Sequence, residues 1–99
     1  MITTNICVSA ESTVRSANSF TESRERYAST PNGEGSLTYG FNTFAINEDY
    51  VWAQHDTEYH YAALFNGDGW HTGQGKAAGI LSRVDVRHKG SSVTYYLYY

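Results

Sequence analysis

Short runs that alternate between apolar and polar residues, each ended by turn residues, follow one another from Leu37 to Tyr99. They read "LTYGFNTFAI", "YVWAQH", "YHYAALF", "GILSRVDVRH" and "SVTYYLYY". A period of two, with aromatic and β-branched residues, is typical of half-buried β-strands. A chain of 99 residues makes one domain. We therefore predict an all-β fold, a small antiparallel β-sandwich of two sheets with about five to seven strands.

Residues 1 to about 36 differ in composition, because they are rich in Ser, Thr, Asn and Glu and end in the turn-like "STPNGEGS" with the only proline, Pro31. We predict a weakly structured N-terminal segment at 1–33 and a β domain at 34–99. Within the segment, Ile6 and Val8 alternate as in one strand, and "SFTESRERYA" allows a short helix.

Two turn signals predict β-hairpins in the second half of the chain. A turn within "HDTE" would pair Trp52 with Tyr61, and a turn within "HKGS" would pair Val86 with Val93. The second register predicts a set of inward-facing side chains: Val84, Val86, Val93, Tyr95 and Leu97.

The other face of the second hairpin combines aromatic and cationic side chains. Alternation would place Tyr96 and Tyr98 there together with Arg83 and Arg87. Arginine is seldom buried, and it interacts favourably with an aromatic ring while keeping its hydrogen-bonding capacity. We predict that these residues form a binding surface.

The glycine-rich stretch "NGDGWHTGQGK" invites comparison with ligand-binding loops. It does not match a phosphate loop, since the position four residues before Gly75 is not the required glycine and Lys76 is followed by Ala77. Asp68 is its only carboxylate, too few for a calcium loop. We predict a mobile connection in which Trp70 either anchors the loop to the core or offers a ligand platform. Trp70 is therefore also a candidate binding residue.

The stretch "HDTEYH" concentrates histidine and carboxylate side chains. A zinc site there would need a further ligand such as His71 or His88, so a solvated hairpin tip is the favoured interpretation. The sequence has no G-x-S-x-G element, and the lone Cys7 has no marked base beside it. We expect no enzymatic activity, no metal site and no cofactor.

Net charge and hydropathy exclude further classes of function. A formal charge of −3 leaves no basic surface for a nucleic acid, and no apolar run approaches the length of a membrane span. The start "MITTNICVSAES" lacks the basic and apolar regions of a signal peptide, so we expect either an intracellular protein or one whose leader has been removed.

An ordered series of elements resembles the lactococcin 972 family of bacteriocins. The elements are "EGSLTYGF", then "YVWAQHDTEYHYAAL", then "GKAAGILSRVDV", then the closing "YYLYY". The resemblance covers residues 34–99 and depends on the order of the elements and on the terminal tyrosines.

The resemblance implies a secreted antibacterial β-protein, a toxin made with a leader that is later removed. Its members act at the cell envelope of related bacteria without hydrolysis, so the expected partner is an envelope component such as a cell-wall precursor or a surface glycan. The alternative is a non-toxic interaction module, of phage or bacterial origin, whose C-terminal strand forms an exposed edge. Such an edge would pair with a partner's sheet or with a second copy of the chain in a homo-oligomer.

Overall fold

The computed structural model describes residues 11–43 and 46–99, and in these ranges every regular element is a β-strand. The strands are β1 (Ser12–Ala17), β2 (Arg24–Ser29), β3 (Gly35–Asn42), β4 (Glu48–His55), β5 (Tyr61–Asn66), β6 (Gly69–Thr72), β7 (Ser82–Arg87) and β8 (Val93–Tyr98). The all-β prediction is confirmed, with eight strands rather than five to seven. Within the described ranges no helix is long and apolar enough to cross a membrane.

Two antiparallel sheets of four strands each build the sandwich. Sheet A has the order β1-β8-β5-β6, and sheet B has the order β2-β3-β4-β7. The stretch that allowed a short helix contains β2, which pairs with β3 along its whole length. Ile6, Val8 and Cys7 lie outside the described residues. The first described residues, from Glu11 on, lead into β1.

Both predicted hairpins are wrong, because each turn joins strands of different sheets. The "HDTE" turn leads from β4 in sheet B to β5 in sheet A, and the "HKGS" turn leads from β7 in sheet B to β8 in sheet A. Trp52 therefore lies between Thr38 and Arg83, while Tyr61 lies opposite Tyr98. A short turn signal fixes where a strand ends but not which strand becomes its neighbour.

The C-terminal strand β8 is not an edge, which corrects the expected pairing surface of the alternative interaction module. It lies between β1 and β5. Backbone hydrogen bonds of 3.0 Å join Glu11 and Tyr99 in both directions and extend the pairing with β1 past the strand ends. The edges of the two sheets are β1, β6, β2 and β7.

The inward faces of both sheets form one apolar core. Val84, Val93, Tyr95 and Leu97 are buried and Val86 is partly buried against them, so the predicted inward set is confirmed. The inward set is correct although the predicted pairing of β7 with β8 is wrong, because alternation along a single strand determines which side chains share a face. The Tyr39 and Tyr95 rings meet across the sheets with centroids 4.8 Å apart.

A buried polar network also joins the two sheets. Asp49 of β4 accepts hydrogen bonds from Nδ1 of His88, at 2.8 and 3.0 Å, and from Nδ2 of Asn66 in β5, at 3.1 Å. The Asn66 amide oxygen accepts from the backbone of Asp68 and from Nε2 of His71. Every hydrogen-bonding atom of the Asn66 side chain therefore has a partner, as buried polar groups require.

Candidate functional site

The outward face of sheet A carries no charged side chain at its registered positions. Thr94, Tyr96 and Tyr98 point outward because the residues between them in β8 are buried, and cross-strand partners share a face. The register then gives the outward set as Ser12, Val14, Ser16, Tyr61, Ala63, Phe65, Trp70, Thr72, Thr94, Tyr96 and Tyr98. Sheet B differs, since Glu48, Arg83, Asp85 and Arg87 occupy its outward positions.

Aromatic rings form a continuous row across three strands of this face. The row runs in the order Phe65, Trp70, Tyr96, Tyr98 and Tyr61, and we call it the aromatic row. Its successive ring centroids lie 5.1, 4.9, 5.4 and 5.0 Å apart. These separations are those of favourable aromatic pairs, so each ring helps to fix the position of the next.

The three tyrosine rings of the row are stacked. The planes of Tyr96 and Tyr98 are within 5° of parallel, and those of Tyr98 and Tyr61 within 25°. Ala63 lies between Tyr96 and Thr72 in the register and has no exposed surface although it faces outward. A small side chain at this position leaves room for the neighbouring rings to cover it.

The open end of the row is formed by Trp70 and Phe65, which are 55% and 43% exposed. Both are held by the β5–β6 pairing, in which Phe65 lies directly opposite Trp70. The predicted mobile connection is therefore wrong for this part of the stretch, because Gly69–Thr72 is a strand of sheet A. Trp70 does not anchor a loop to the core but projects from the outward face.

The Tyr98 hydroxyl of the row remains a hydrogen-bond donor at neutral pH. Partial burial, and then the neighbouring Tyr96 and Tyr61, raise the pKa of Tyr98 above its ordinary value of 10.0. A neutral phenol both donates and accepts hydrogen bonds. The face therefore combines apolar ring surface with hydroxyl groups that form hydrogen bonds.

The predicted site residues separate into two groups in the structure. Trp70, Tyr96 and Tyr98 come together in the aromatic row, whereas Arg83 and Arg87 lie on the outward face of sheet B. The two arginines are placed there because β7 pairs with β4 and not with β8.

Arg83 does meet an aromatic ring, although not the predicted one. Its guanidinium carbon lies 4.6 Å from the centroid of the Trp52 ring, and its Nε lies 3.7 Å from Oδ2 of Asp85. Trp52 donates its indole N–H to Oδ1 of Asp85 at 3.0 Å. Arg83, Trp52 and Asp85 therefore contact one another. Arg87 lies opposite Glu48 at the same sheet edge.

Sequence reasoning missed Tyr61 and Phe65 as members of the site. The signal was present, because Tyr61, Ala63 and Phe65 alternate in "YHYAALF" and share one face of a strand. What the sequence did not reveal was that β5 is the neighbour of β8, which places these rings beside Tyr96 and Tyr98.

The histidines of "HDTEYH" are buried rather than solvated, which corrects the predicted hairpin tip for these two side chains. Both ring nitrogens of His60 face backbone oxygens, of Glu58 at 3.0 Å and of Ile80 at 2.6 Å. Nδ1 of His55 accepts from the backbone N–H groups of Thr57 and Glu58. Across residues 11–43 and 46–99 no group of three or more His, Cys, Asp or Glu side chains could hold a metal ion.

Comparison with known proteins found no matching family model, no matching curated protein and no matching solved structure. The function is therefore inferred from the geometry of the described residues and from the resemblance of the sequence pattern.

Proposed function

We propose that this protein is a secreted antibacterial protein of the bacteriocin type that binds a neutral glycan of a bacterial cell envelope through the aromatic row. It acts by binding and carries out no enzymatic step. The aromatic row makes the contact with the glycan. The proposed antibacterial role and secretion are based on the resemblance to the lactococcin 972 family.

The observation that carries the proposal is the continuous row of rings on an outward face without charged positions. Sugar rings present C–H groups that pack against aromatic surface, and their hydroxyls match the phenol groups of Tyr61, Tyr96 and Tyr98. Tyrosine and tryptophan give large contact areas at a low cost in conformational entropy. A face without Lys or Arg offers nothing to a phosphate backbone, so a neutral ligand fits it better than a nucleic acid or a phosphorylated polymer.

Trp70 is the residue whose removal best tests this proposal. Its side chain is the most exposed of the row, so Trp70→Ala should leave the fold intact and still remove the largest accessible ring of the surface. We expect binding to isolated bacterial cell walls, measured by co-sedimentation, to weaken by about 1–3 kcal/mol. Growth inhibition of sensitive bacteria should fall in parallel.

A matched control is available on the other sheet. Tyr27 in β2 is 69% exposed and lies outside the aromatic row, so Tyr27→Ala also removes an exposed aromatic ring. We expect this variant to bind cell walls as the unmodified protein does. Equal loss in both variants would mean that binding follows general surface hydrophobicity, and undiminished binding by Trp70→Ala would rule out the row as the contact surface.

A further inference from the structure

A cleft of about 400 Å³ opens at the end of the sandwich where β8 ends and β1 begins. Its described lining residues are Glu11, Pro31, Asn32, Glu34, His55, Glu58 and Tyr99. Three of these side chains are carboxylates and none belongs to Lys or Arg. The volume suits a small ligand or the end group of a larger one, and the charge favours a cation.

Two of the carboxylates keep oxygen atoms available for a ligand. Thr57 Oγ1 and Asn32 Nδ2 both donate to Oε1 of Glu34, each at 3.2 Å, and so orient this carboxylate. Within 11–43 and 46–99, no side chain or backbone group bonds to Oε2 of Glu34 or to the carboxylate of Glu58. An ammonium group has three N–H donors, enough for hydrogen bonds to two carboxylates.

The third carboxylate, Glu11, lies beside the Tyr99 phenol. Burial, and then a hydrogen bond with Glu11, raise the pKa of the Tyr99 side chain. The Tyr99 ring packs against the His55 ring with centroids 4.7 Å apart. Glu11 and Tyr99 therefore lie together on one side of the cleft.

His55 contributes a buried donor whose partner is missing from the described part of the chain. Its Nδ1 accepts from the backbone N–H of Thr57 at 3.1 Å and of Glu58 at 3.0 Å. A backbone N–H only donates, so Nδ1 is the unprotonated nitrogen and Nε2 carries the proton. The side chain lines the cleft although it is only 1% exposed, and no described group accepts from Nε2.

The protonation of Nε2 favours an organic cation over a metal ion as the ligand. A metal ion needs an imidazole lone pair, and the only lone pair of the His55 ring faces the two backbone N–H groups. An organic cation needs no such ligand, and an oxygen atom near its charge would satisfy the Nε2–H group. Buried donors of this kind are usually satisfied.

We propose that this cleft binds a primary ammonium group, which pairs with Glu34 and Glu58, on a carrier whose oxygen accepts the Nε2–H of His55. A lysine-type side chain of a peptide and an amino sugar both have this chemistry. The aromatic row contributes no residue to the cleft, so the two proposals can fail separately.

An NMR titration of the labelled full chain tests the cleft. The probes are lysine blocked at both backbone ends and glucosamine, and their neutral counterparts are the same lysine acetylated on its side chain and N-acetylglucosamine. We expect at least one ammonium probe to shift the amide signals of Thr57 and Glu58 and the Nε2–H signal of His55. The probe that binds identifies the source of the ammonium group. If neither binds, or if the neutral counterparts bind equally well, the proposal is overturned.

Isosteric variants locate the binding. Glu34→Gln and Glu58→Gln should each weaken the binding of the ammonium probe about tenfold, since each loses one charge-assisted hydrogen bond. Glu22→Gln removes the same charge from the connection between β1 and β2, at the other end of these strands, and should leave binding unchanged. Equal weakening by Glu22→Gln would assign the effect to net charge and overturn the cleft as the site.

Discussion

Nδ1 of His88 lies 2.8 Å from Oδ1 and 3.0 Å from Oδ2 of Asp49, a carboxylate with no exposed surface. The His88 ring is in turn packed against Phe20 and Phe41, at centroid distances of 4.2 and 5.1 Å. Asn66 of the other sheet completes the contacts of this carboxylate. Asp49 therefore connects His88 with Asn66 of the other sheet, and an apolar side chain in its place would leave donors unsatisfied.

Asp49→Ala should destabilise the fold strongly. The substitution removes the acceptor of the His88 Nδ1–H and of one N–H of the Asn66 amide, whose other N–H still donates to the backbone oxygen of Arg87. Each buried donor left without an acceptor costs about 1–3 kcal/mol. Chemical denaturation measures the loss. Asp56→Ala, at an exposed turn position, should change stability by no more than about 0.5 kcal/mol. Equal midpoints for the two variants would refute the role of the network.

Alkaline pH should destabilise the protein through its buried phenols. Burial is the largest cause that raises the pKa of Tyr95, Tyr50 and Tyr98 above the ordinary value of 10.0, and the charge of Asp49 adds to it at Tyr95. The folded state therefore favours the neutral phenol, and this contribution to stability is complete below pH 10. It is lost as the pH rises through the raised values, because the unfolded chain ionises first.

Denaturant midpoints measured across this range, together with tyrosinate absorbance, check the expectation. Ionisation of the buried phenols should coincide with unfolding rather than precede it. Constant stability from about pH 9 to about pH 12 would contradict it.

The sequence predicted local features of the fold better than the partners of its strands. The alternation in "SSVTYYLYY" identifies Val93, Tyr95 and Leu97 as buried, since side-chain direction in a strand depends only on the strand itself. The neighbours of that strand depend on contacts distant in sequence. β1 precedes β8 by most of the chain, and the polar composition of its region gave no sign of pairing.

The difference between local alternation and distant strand pairing also explains which residues of the candidate site were predicted correctly. Tyr96 and Tyr98 were correctly placed outward, because alternation is a local property. Arg83 was placed beside them only through the wrong hairpin, and its actual neighbour Trp52 follows from the pairing of β4 with β7. Trp70 lies in the row because the glycine-rich stretch contains strand β6, which pairs with β5.

Gly40 in β3 should not tolerate a side chain. It lies opposite Tyr50, and a Cβ atom at this position would lie 2.7 Å from the Tyr50 hydroxyl oxygen and against the backbone oxygen of Arg24. The Tyr50 hydroxyl donates to Oε2 of Glu25 at 2.7 Å, so moving the ring also breaks this hydrogen bond. Gly40→Ala should cost about 1–3 kcal/mol in thermal or chemical unfolding.

Ser36→Ala is the matched substitution for Gly40→Ala, on the same strand and the same face. Ser36 is partly exposed, so Ser36→Ala should change the free energy of unfolding by no more than about 0.5 kcal/mol. A Gly40→Ala variant as stable as Ser36→Ala would mean that the Tyr50 ring and the backbone at Arg24 can both move without cost.

Removing the hydroxyls of Tyr96 and Tyr98 separates the two contributions of the aromatic row. The double variant Tyr96→Phe, Tyr98→Phe keeps both rings and their contacts with Trp70 and Tyr61, so stability should change by less than about 1 kcal/mol. If the phenols bond to glycan hydroxyls, binding to cell walls should weaken by about 0.5–1.5 kcal/mol for each lost hydrogen bond. Trp70→Ala should weaken it by loss of ring surface instead, and the two effects should be smaller than additive because Trp70 and Tyr96 are in contact.

Unfolding curves and co-sedimentation of the same preparations decide the outcome. Unchanged binding by the double phenylalanine variant would restrict the row to apolar contacts, and a collapsed fold would show that these hydroxyls support the sheet rather than a ligand.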